Sequence, residues 1–146
     1  MNRFLFVLLF VTATVFGQKE HLNTKKGVVA KGYDVVAYFN NTAVKGKKQL
    51  SINHNGATYR FSSEGNLVAF KKNPDKYSPQ YGGYCAYAIG VNGKKVDINP
   101  KTFEIRDGKL YLFYNSWGTN TLKLWLKEDP KKLKEQADKN WSKITN

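Results

Sequence analysis

The residue with the most chemistry to offer is Cys85, the only cysteine in a chain of 146 residues. It lies in the segment YSPQYGGYCAYA, directly after a Gly-Gly-Tyr sequence. Gly82 and Gly83 carry no side chains, so a backbone or a ligand can approach closely. The phenols of Tyr81, Tyr84 and Tyr87 can donate hydrogen bonds to a thiolate. Cys85 is therefore a candidate nucleophile, redox thiol or ligand for a soft metal ion such as copper, with its neighbours as candidate cofactor contacts.

A structural interpretation of Cys85 stays open beside the chemical one, because free cysteine is among the most buried residue types. His54 is the other candidate metal ligand or base, provided that its hairpin folds over Cys85. A histidine on a turn more often faces solvent and is inert. His21, near the start of the chain, is a weaker candidate. The sequence alone does not choose between a reactive thiol and a buried one.

Several well-defined kinds of site are excluded by composition and motif. One cysteine and two histidines cannot form a closed zinc site. The chain has no Cys-x-x-Cys, no His-Glu-x-x-His, no phosphate-binding glycine loop and no Gly-x-Ser-x-Gly. Asp34, Glu64, Asp97 and Asp107 are explained by turns or caps, so no glycosidase-type pair of carboxylates is indicated. The aromatic residues are assigned to the core rather than to a carbohydrate- or haem-stacking platform.

Residues 1–17 have the layout of a secretory signal peptide, with a short positive start, thirteen mostly apolar residues and compact residues before the cut. The apolar run is shorter than the roughly 20 residues that cross a bilayer. We therefore expect an exported monomer, periplasmic or secreted, with no transmembrane segment after signal removal. A mobile lead-in is predicted over residues 18–27 and one domain over residues 28–146.

The formal net charge of +13 comes mostly from lysines spread along the chain. Spread lysines usually form a solvated surface. The alternative is attraction to an anionic component of the cell envelope, such as lipid head groups or polysaccharide. No nucleic-acid partner is expected, because export removes that partner and no recognition motif is present.

The pattern of elements predicts a single α+β domain of small antiparallel β-hairpins packed with about three helices. Asn-Gly at 55–56 and Asp-Gly at 107–108 each predict a hairpin, because these residues tolerate the positive φ of a tight turn. Ser62 or Ser63 is predicted to cap a helix over residues 64–72. The remaining predictions are a first ordered element at Val35–Phe39, a strand or short helix at Ala86–Val91, extended segments at 95–98 and 102–106 separated by Asn99-Pro100, helical spacing from Trp117, and a helix from Pro130 capped by Asp129.

Six segments combine into one pattern: GYDVVAYF at 32–39, GATYRF at 56–61, NPDKY at 73–77, PQYGGYCAYA at 79–88, DGKLYL at 107–112 and ADKNW at 137–141. Together they resemble the exported YHS-domain proteins. The broader YHS domain is similar to small zinc- or copper-associated modules whose ligands are cysteines. At the corresponding positions this chain has Ala37, Ser62 and Asn66, and neutral serine and amide groups are poor ligands for soft metals. The resemblance implies the fold, leaves Cys85 as the one thiol, and carries over no settled activity.

Two functions of different classes are left by these observations. In the first, the protein is a thiol-centred module in which Cys85 handles copper or another soft metal ion, with His54 as a further ligand, or performs redox chemistry. In the second, it is a non-catalytic binding domain for an anionic cell-envelope component, and Cys85 is structural.

Overall fold

The computed structural model describes residues 21–146, and the signal peptide predicted for residues 1–17 lies outside them. The described part has the predicted α+β architecture, in which small sheets pack with helices. Three 3₁₀ turns lie at Ala30–Gly32, Ala37–Asn40 and Gln80–Gly83. The strands are β1 (Thr24–Lys25), β2 (Val28–Val29), β3 (Lys47–His54), β4 (Ala57–Phe61), β5 (Asn99–Arg106), β6 (Lys109–Phe113), β7 (Asn115–Ser116) and β8 (Thr119–Asn120). The α-helices are α1 (Glu64–Lys72), α2 (Pro74–Tyr77), α3 (Ala86–Asn92), α4 (Thr121–Glu128) and α5 (Pro130–Thr145).

The four-stranded sheet joins the start of the described chain to the first hairpin. Strands β3 and β4 pair antiparallel across Asn55-Gly56, as predicted, and both turn residues have positive φ. Strand β2 lies parallel to β4 and pairs with β1, which gives the order β1-β2-β4-β3. Strand β1 falls within residues 18–27, the predicted lead-in. The segment Val35–Phe39 is therefore not the first ordered element, because β1 and β2 precede it.

The second hairpin, β5–β6, turns at Asp107-Gly108 as predicted. The pair Asn99-Pro100 begins β5 instead of separating two extended segments. Beyond β6, strands β7 and β8 form a small hairpin around Trp117-Gly118. The prediction of helical spacing is therefore wrong at its start. The helix begins at Thr121, where the side chain of Asn120 caps it.

The helices begin at caps that the sequence indicates. Ser63 accepts the backbone N–H of Asn66 at the start of α1, and Asp129 accepts that of Lys132 at the start of α5. Pro130 occupies the first position of α5, where its missing N–H costs nothing. The segment left open between strand and helix forms α3. The described part of the chain has five α-helices rather than about three, and none of them is long and apolar enough to cross a bilayer.

Two clusters of buried side chains make up the core. The first draws on β4, α1 and β6, and contains Phe61 and Leu112. The second lies against the C-terminal helices and contains Trp125 and Phe113. Cys85 belongs to the first cluster, and the residue after it belongs to the second. The fold therefore places Cys85 where the two parts of the core meet.

Candidate functional site

Cys85 lies at the N-cap of α3 with a relative exposure of 0%. Its backbone N–H donates to the carbonyl oxygen of Val96 at 2.9 Å, and its Sγ lies 3.3 Å from Oγ1 of Thr121. The single hydroxyl hydrogen of Thr121 is directed to the carbonyl oxygen of Tyr114, 2.7 Å away. The sulfur contact therefore requires an S–H donor. This geometry describes a buried, hydrogen-bonded thiol.

Gly82 and Gly83 allow another group to approach closely, and that group is the backbone of residues 21–23 of the same chain. A Cβ on Gly82 would overlap the backbone carbonyl of His21. The backbone N–H of Asn23 donates to the Gly82 oxygen at 2.8 Å, and its Nδ2 donates to the Gly83 oxygen at 3.1 Å. Residues 21–23 thus cover the loop that is predicted to make cofactor contacts.

The two tyrosines of that loop also make intramolecular contacts. The Tyr81 hydroxyl donates to Oδ1 of Asp138 on α5 at 2.8 Å. Burial raises the pKa of Tyr81, and the hydrogen bond to Asp138 raises it further. The Tyr84 ring packs near Trp141 and lies 5.6 Å from Nζ of Lys95. Tyr81 therefore links this loop to the C-terminal helix α5 by a hydrogen bond.

His54 ends β3 and packs among aromatic rings. It meets Phe70 and Tyr59 edge-on, with ring centroids 5.7 Å and 6.2 Å away. Its Nε2 is buried and has no hydrogen-bond partner within the described residues. Over residues 21–146, no three His, Cys, Asp or Glu side chains come together as a possible metal site. These contacts give no support to the predicted approach of His54 to Cys85.

The most extensive polar network of the described residues surrounds Asp34, a residue predicted to lie in a turn. Asp34 has a relative exposure of 0%. Its Oδ1 accepts the backbone N–H groups of Val36 and Ala37 at 2.9 Å and 3.2 Å. Its Oδ2 accepts the N–H of Ser62 at 2.7 Å, the hydroxyl of Ser62 at 2.7 Å, and Nδ2 of Asn66 at 2.8 Å. One carboxylate thus joins the turn after it, the end of β4 and the start of α1.

This network stands where the resemblance placed cysteine ligands, and its chemistry does not fit a soft metal ion. Ala37 has no ligand atom in its side chain, while Ser62 and Asn66 direct hydrogen-bond donors at Asp34. A soft metal would require thiolates or imidazoles with free lone pairs. We therefore derive no metal chemistry at this position. The sequence feature that could have indicated this network is an acidic residue directly before a strongly apolar run.

A cleft of about 560 Å³ lies beside the start of strand β5 and the β7–β8 hairpin. Trp117 at the tip of that hairpin lines the cleft and is 95% exposed, which corrects its assignment to the core. No charge or periodicity in the sequence had pointed to this cleft. Its walls combine aromatic, amide and charged side chains, among them Tyr33, Tyr114, Asn99, Asn115, Lys31, Lys101 and Asp97.

One of the two lysines that line the cleft forms an ion pair within the protein. Lys31 Nζ lies 3.0 Å from Oδ2 of Asp97. Burial acts to raise the pKa of Asp97, but hydrogen bonds from Asn23, Lys31 and the backbone of Ile98 outweigh burial and hold it below its usual value. Lys101 is exposed and forms no ion pair with another described residue. The cleft therefore presents one paired and one available cation.

Comparison with protein families matches the YHS domain to residues 35–81. The matched stretch includes the β3–β4 hairpin, α1 and the four residues that donate to Asp34, namely Val36, Ala37, Ser62 and Asn66. It ends before Cys85 and before the hairpin that carries Trp117. Neither the curated proteins nor the solved structures contain a match to the chain.

Proposed function

We propose that this chain, whose residues 35–81 match the YHS domain, is a non-catalytic binding domain for an anionic component of the cell envelope. The observation that carries the proposal is the open cleft, in which aromatic and amide groups stand beside Lys31 and Lys101. Concave sites with a few convergent polar groups are the usual form of a binding site. An anionic ligand suits a chain with 24 Lys and Arg against 11 Asp and Glu.

The alternative of a thiol-centred module has weaker support. A nucleophile or redox thiol must meet its reactant, whereas Cys85 is fully buried and donates a hydrogen bond to Thr121. A copper ion held by Cys85 would need further soft ligands, and the contacts of His54 do not include it. The burial favours a structural thiol within a binding domain.

Export is part of the proposal, because the ligand belongs to the envelope. The support is the pattern of residues 1–17, where a short positive start precedes a run of apolar residues and then compact ones. A periplasmic or secreted protein with this charge meets anionic polysaccharides and lipid head groups directly.

The proposal is tested by measuring binding of the full chain to anionic polysaccharide and to anionic lipid vesicles at several salt concentrations. Affinity should fall as salt rises, because the screening length shrinks from about 10 Å at 0.1 M to about 3 Å at 1 M. The Lys101→Gln variant should bind more weakly than Lys47→Gln, which removes an equal charge from an exposed position of strand β3. Absence of binding to both classes at low salt would contradict the proposal, as would equal effects of the two variants.

A further inference from the structure

We infer that the cleft takes an acidic polysaccharide, with Trp117 as the platform on which a pyranose ring stacks. The inference rests on the proposed function and names its ligand. It starts from an exposed aromatic residue in an unfavourable backbone conformation, and it continues to the polar groups placed around it.

Trp117 occupies a position that disfavours a large side chain. Its φ is +50°, in the left-handed region that non-glycine residues rarely adopt. Its indole is 95% exposed, so burial does not compensate for the backbone conformation. Strained backbone that packing does not explain tends to occur at sites of function.

The other two-residue hairpin turns within residues 21–146 have a polar side chain at the position that Trp117 occupies. Asn55, Asp107 and, in the β1–β2 hairpin, Lys26 stand at the first turn position with φ of 51°, 50° and 52°, and each is followed by glycine. Short polar side chains are the residues that tolerate this conformation. The β7–β8 turn has the same geometry, with the aromatic Trp117 in place of a polar residue. A tryptophan does not favour this turn conformation, but its exposed indole offers a ligand a large flat surface.

The walls of the cleft are held in place by hydrogen bonds within the protein. Nδ2 of Asn99 donates to the carbonyl oxygen of Asn115 at 3.2 Å, and Nδ2 of Asn115 donates to Oγ1 of Thr102 at 3.1 Å. Strand β5 and the β7–β8 hairpin are thereby tied together below Trp117. A wall fixed before binding reduces the entropy lost when a ligand is ordered.

The chemistry of the cleft matches a sugar acid. An indole face packs against the apolar C–H face of a pyranose, and the amide and phenol groups of the wall can bond to its hydroxyls. A carboxylate on the sugar can pair with the ammonium group of Lys101, which no described carboxylate occupies. Rings alone would suit a neutral glycan, and lysines alone would suit any polyanion. The combination favours a polymer that has both pyranose rings and negative charges.

An anionic bilayer is the competing ligand, because tryptophan also lies at membrane interfaces. A flat lipid surface would touch the tip of the hairpin but would leave the concave wall of Asn99 and Asn115 empty. The geometry therefore favours a strand of polysaccharide, which can enter the cleft.

The test compares four probes: alginate, which is an acidic polymer of pyranose rings; dextran, which has rings without charge; polyphosphate, which has charge without rings; and vesicles containing phosphatidylserine. The full chain should bind alginate most tightly. Trp117→Ala should weaken alginate binding about tenfold or more, as loss of a central aromatic contact does. Trp117→Phe should keep most of the affinity, and neither variant should change binding to polyphosphate. Alginate should also protect Trp117 from quenching by acrylamide.

The outcomes separate this inference from the proposed function. Salt-dependent alginate binding that Trp117→Ala leaves unchanged would overturn the inference and leave the binding domain standing. Tighter binding to the vesicles, reduced by Trp117→Ala, would overturn it in favour of a membrane surface. Failure of every anionic probe to bind would overturn the proposed function itself. Thermal unfolding of Trp117→Ala at or above the wild-type temperature confirms that lost binding is not lost folding.

Discussion

The thiol of Cys85 is held by packing and by one hydrogen bond, and both oppose reactivity. Its sulfur has a relative exposure of 0% and lies within the first core cluster. The hydroxyl of Thr121 fixes it as a donor, because the hydroxyl hydrogen is used on Tyr114. A reagent can reach this sulfur only when the surrounding core opens.

We expect native Cys85 to react with iodoacetamide at least about a thousandfold more slowly than the same thiol in denaturant, because core opening in a stable domain is that rare. The rate is measured by mass spectrometry at pH 8 with and without guanidinium chloride. The control is Cys85→Ala combined with Ser116→Cys, which presents one thiol at an exposed position and should be labelled at similar rates in both conditions. Native labelling of Cys85 within tenfold of the denatured rate would restore the thiol-centred hypothesis.

The burial of single side chains is hard to predict from the sequence, because it depends on contacts between residues that are distant along the chain. The partner of Cys85 is Thr121, 36 residues away, and no local pattern announces such a contact. Trp117 shows the opposite error, since aromatic residues usually fill the core and this one lies at an exposed hairpin tip. Residue type and neighbours indicate which chemistry is possible, but only long-range packing decides which side chains are reachable.

Among the elements, the network of Asp34 connects three that are separate in sequence. The carboxylate accepts from the turn at Val36 and Ala37, from Ser62 after β4, and from Asn66 in α1. Bonds to a carboxylate are shorter and stronger than those between neutral groups. The network lies at the positions where the resemblance to YHS-domain proteins implies cysteine ligands, and in this chain hydrogen bonds connect the three elements there.

Replacing Asp34 by asparagine should lower the free energy of unfolding by about 2–4 kcal/mol, because an amide would present N–H groups to N–H and O–H donors. The measurement is urea denaturation followed by circular dichroism. Asp107→Asn is the matched control, since Asp107 is exposed in a hairpin turn that also accepts asparagine, and it should change stability by less than about 0.5 kcal/mol. Equal denaturation midpoints for the two variants would show that the network is not a structural centre.

Elements with local signals were predicted well from the sequence. Two hairpins were found because Asn-Gly and Asp-Gly suit their turns, and α1 and α5 were found because Ser63 and Asp129 cap them. The β7–β8 hairpin was missed because Trp117 is not a turn residue. The parallel pairing of β2 with β4 was not predicted either, since it joins Val28 to Thr58 across the chain. Local chemistry sets the elements, while their arrangement around the cleft depends on contacts that the sequence does not display.

At the scale of the whole molecule, the tyrosines of the described residues lie in the two core clusters or pack against them. Burial is the first cause that raises the pKa of most of them, including Tyr111, whose pKa reaches about 12. The pKa of Tyr87 also rises to about 12, first because its hydroxyl donates to Glu128 and then through burial. The tyrosines with raised pKa values are Tyr38, Tyr59, Tyr81, Tyr84, Tyr87 and Tyr111.

The raised pKa values predict that stability falls in alkaline solution. Above about pH 10 the unfolded chain releases phenol protons that the folded chain retains, so the folded state binds more protons and loses stability as pH rises. Each fully buried tyrosine contributes at most about 1.4 kcal/mol per pH unit between its unfolded and folded pKa values. Urea denaturation at pH 9, 10 and 11 measures the decline, and Tyr111→Phe should make it shallower. Tyrosinate absorbance near 295 nm should appear together with unfolding, whereas ionisation of most tyrosines in a still-folded protein would contradict the enclosed core.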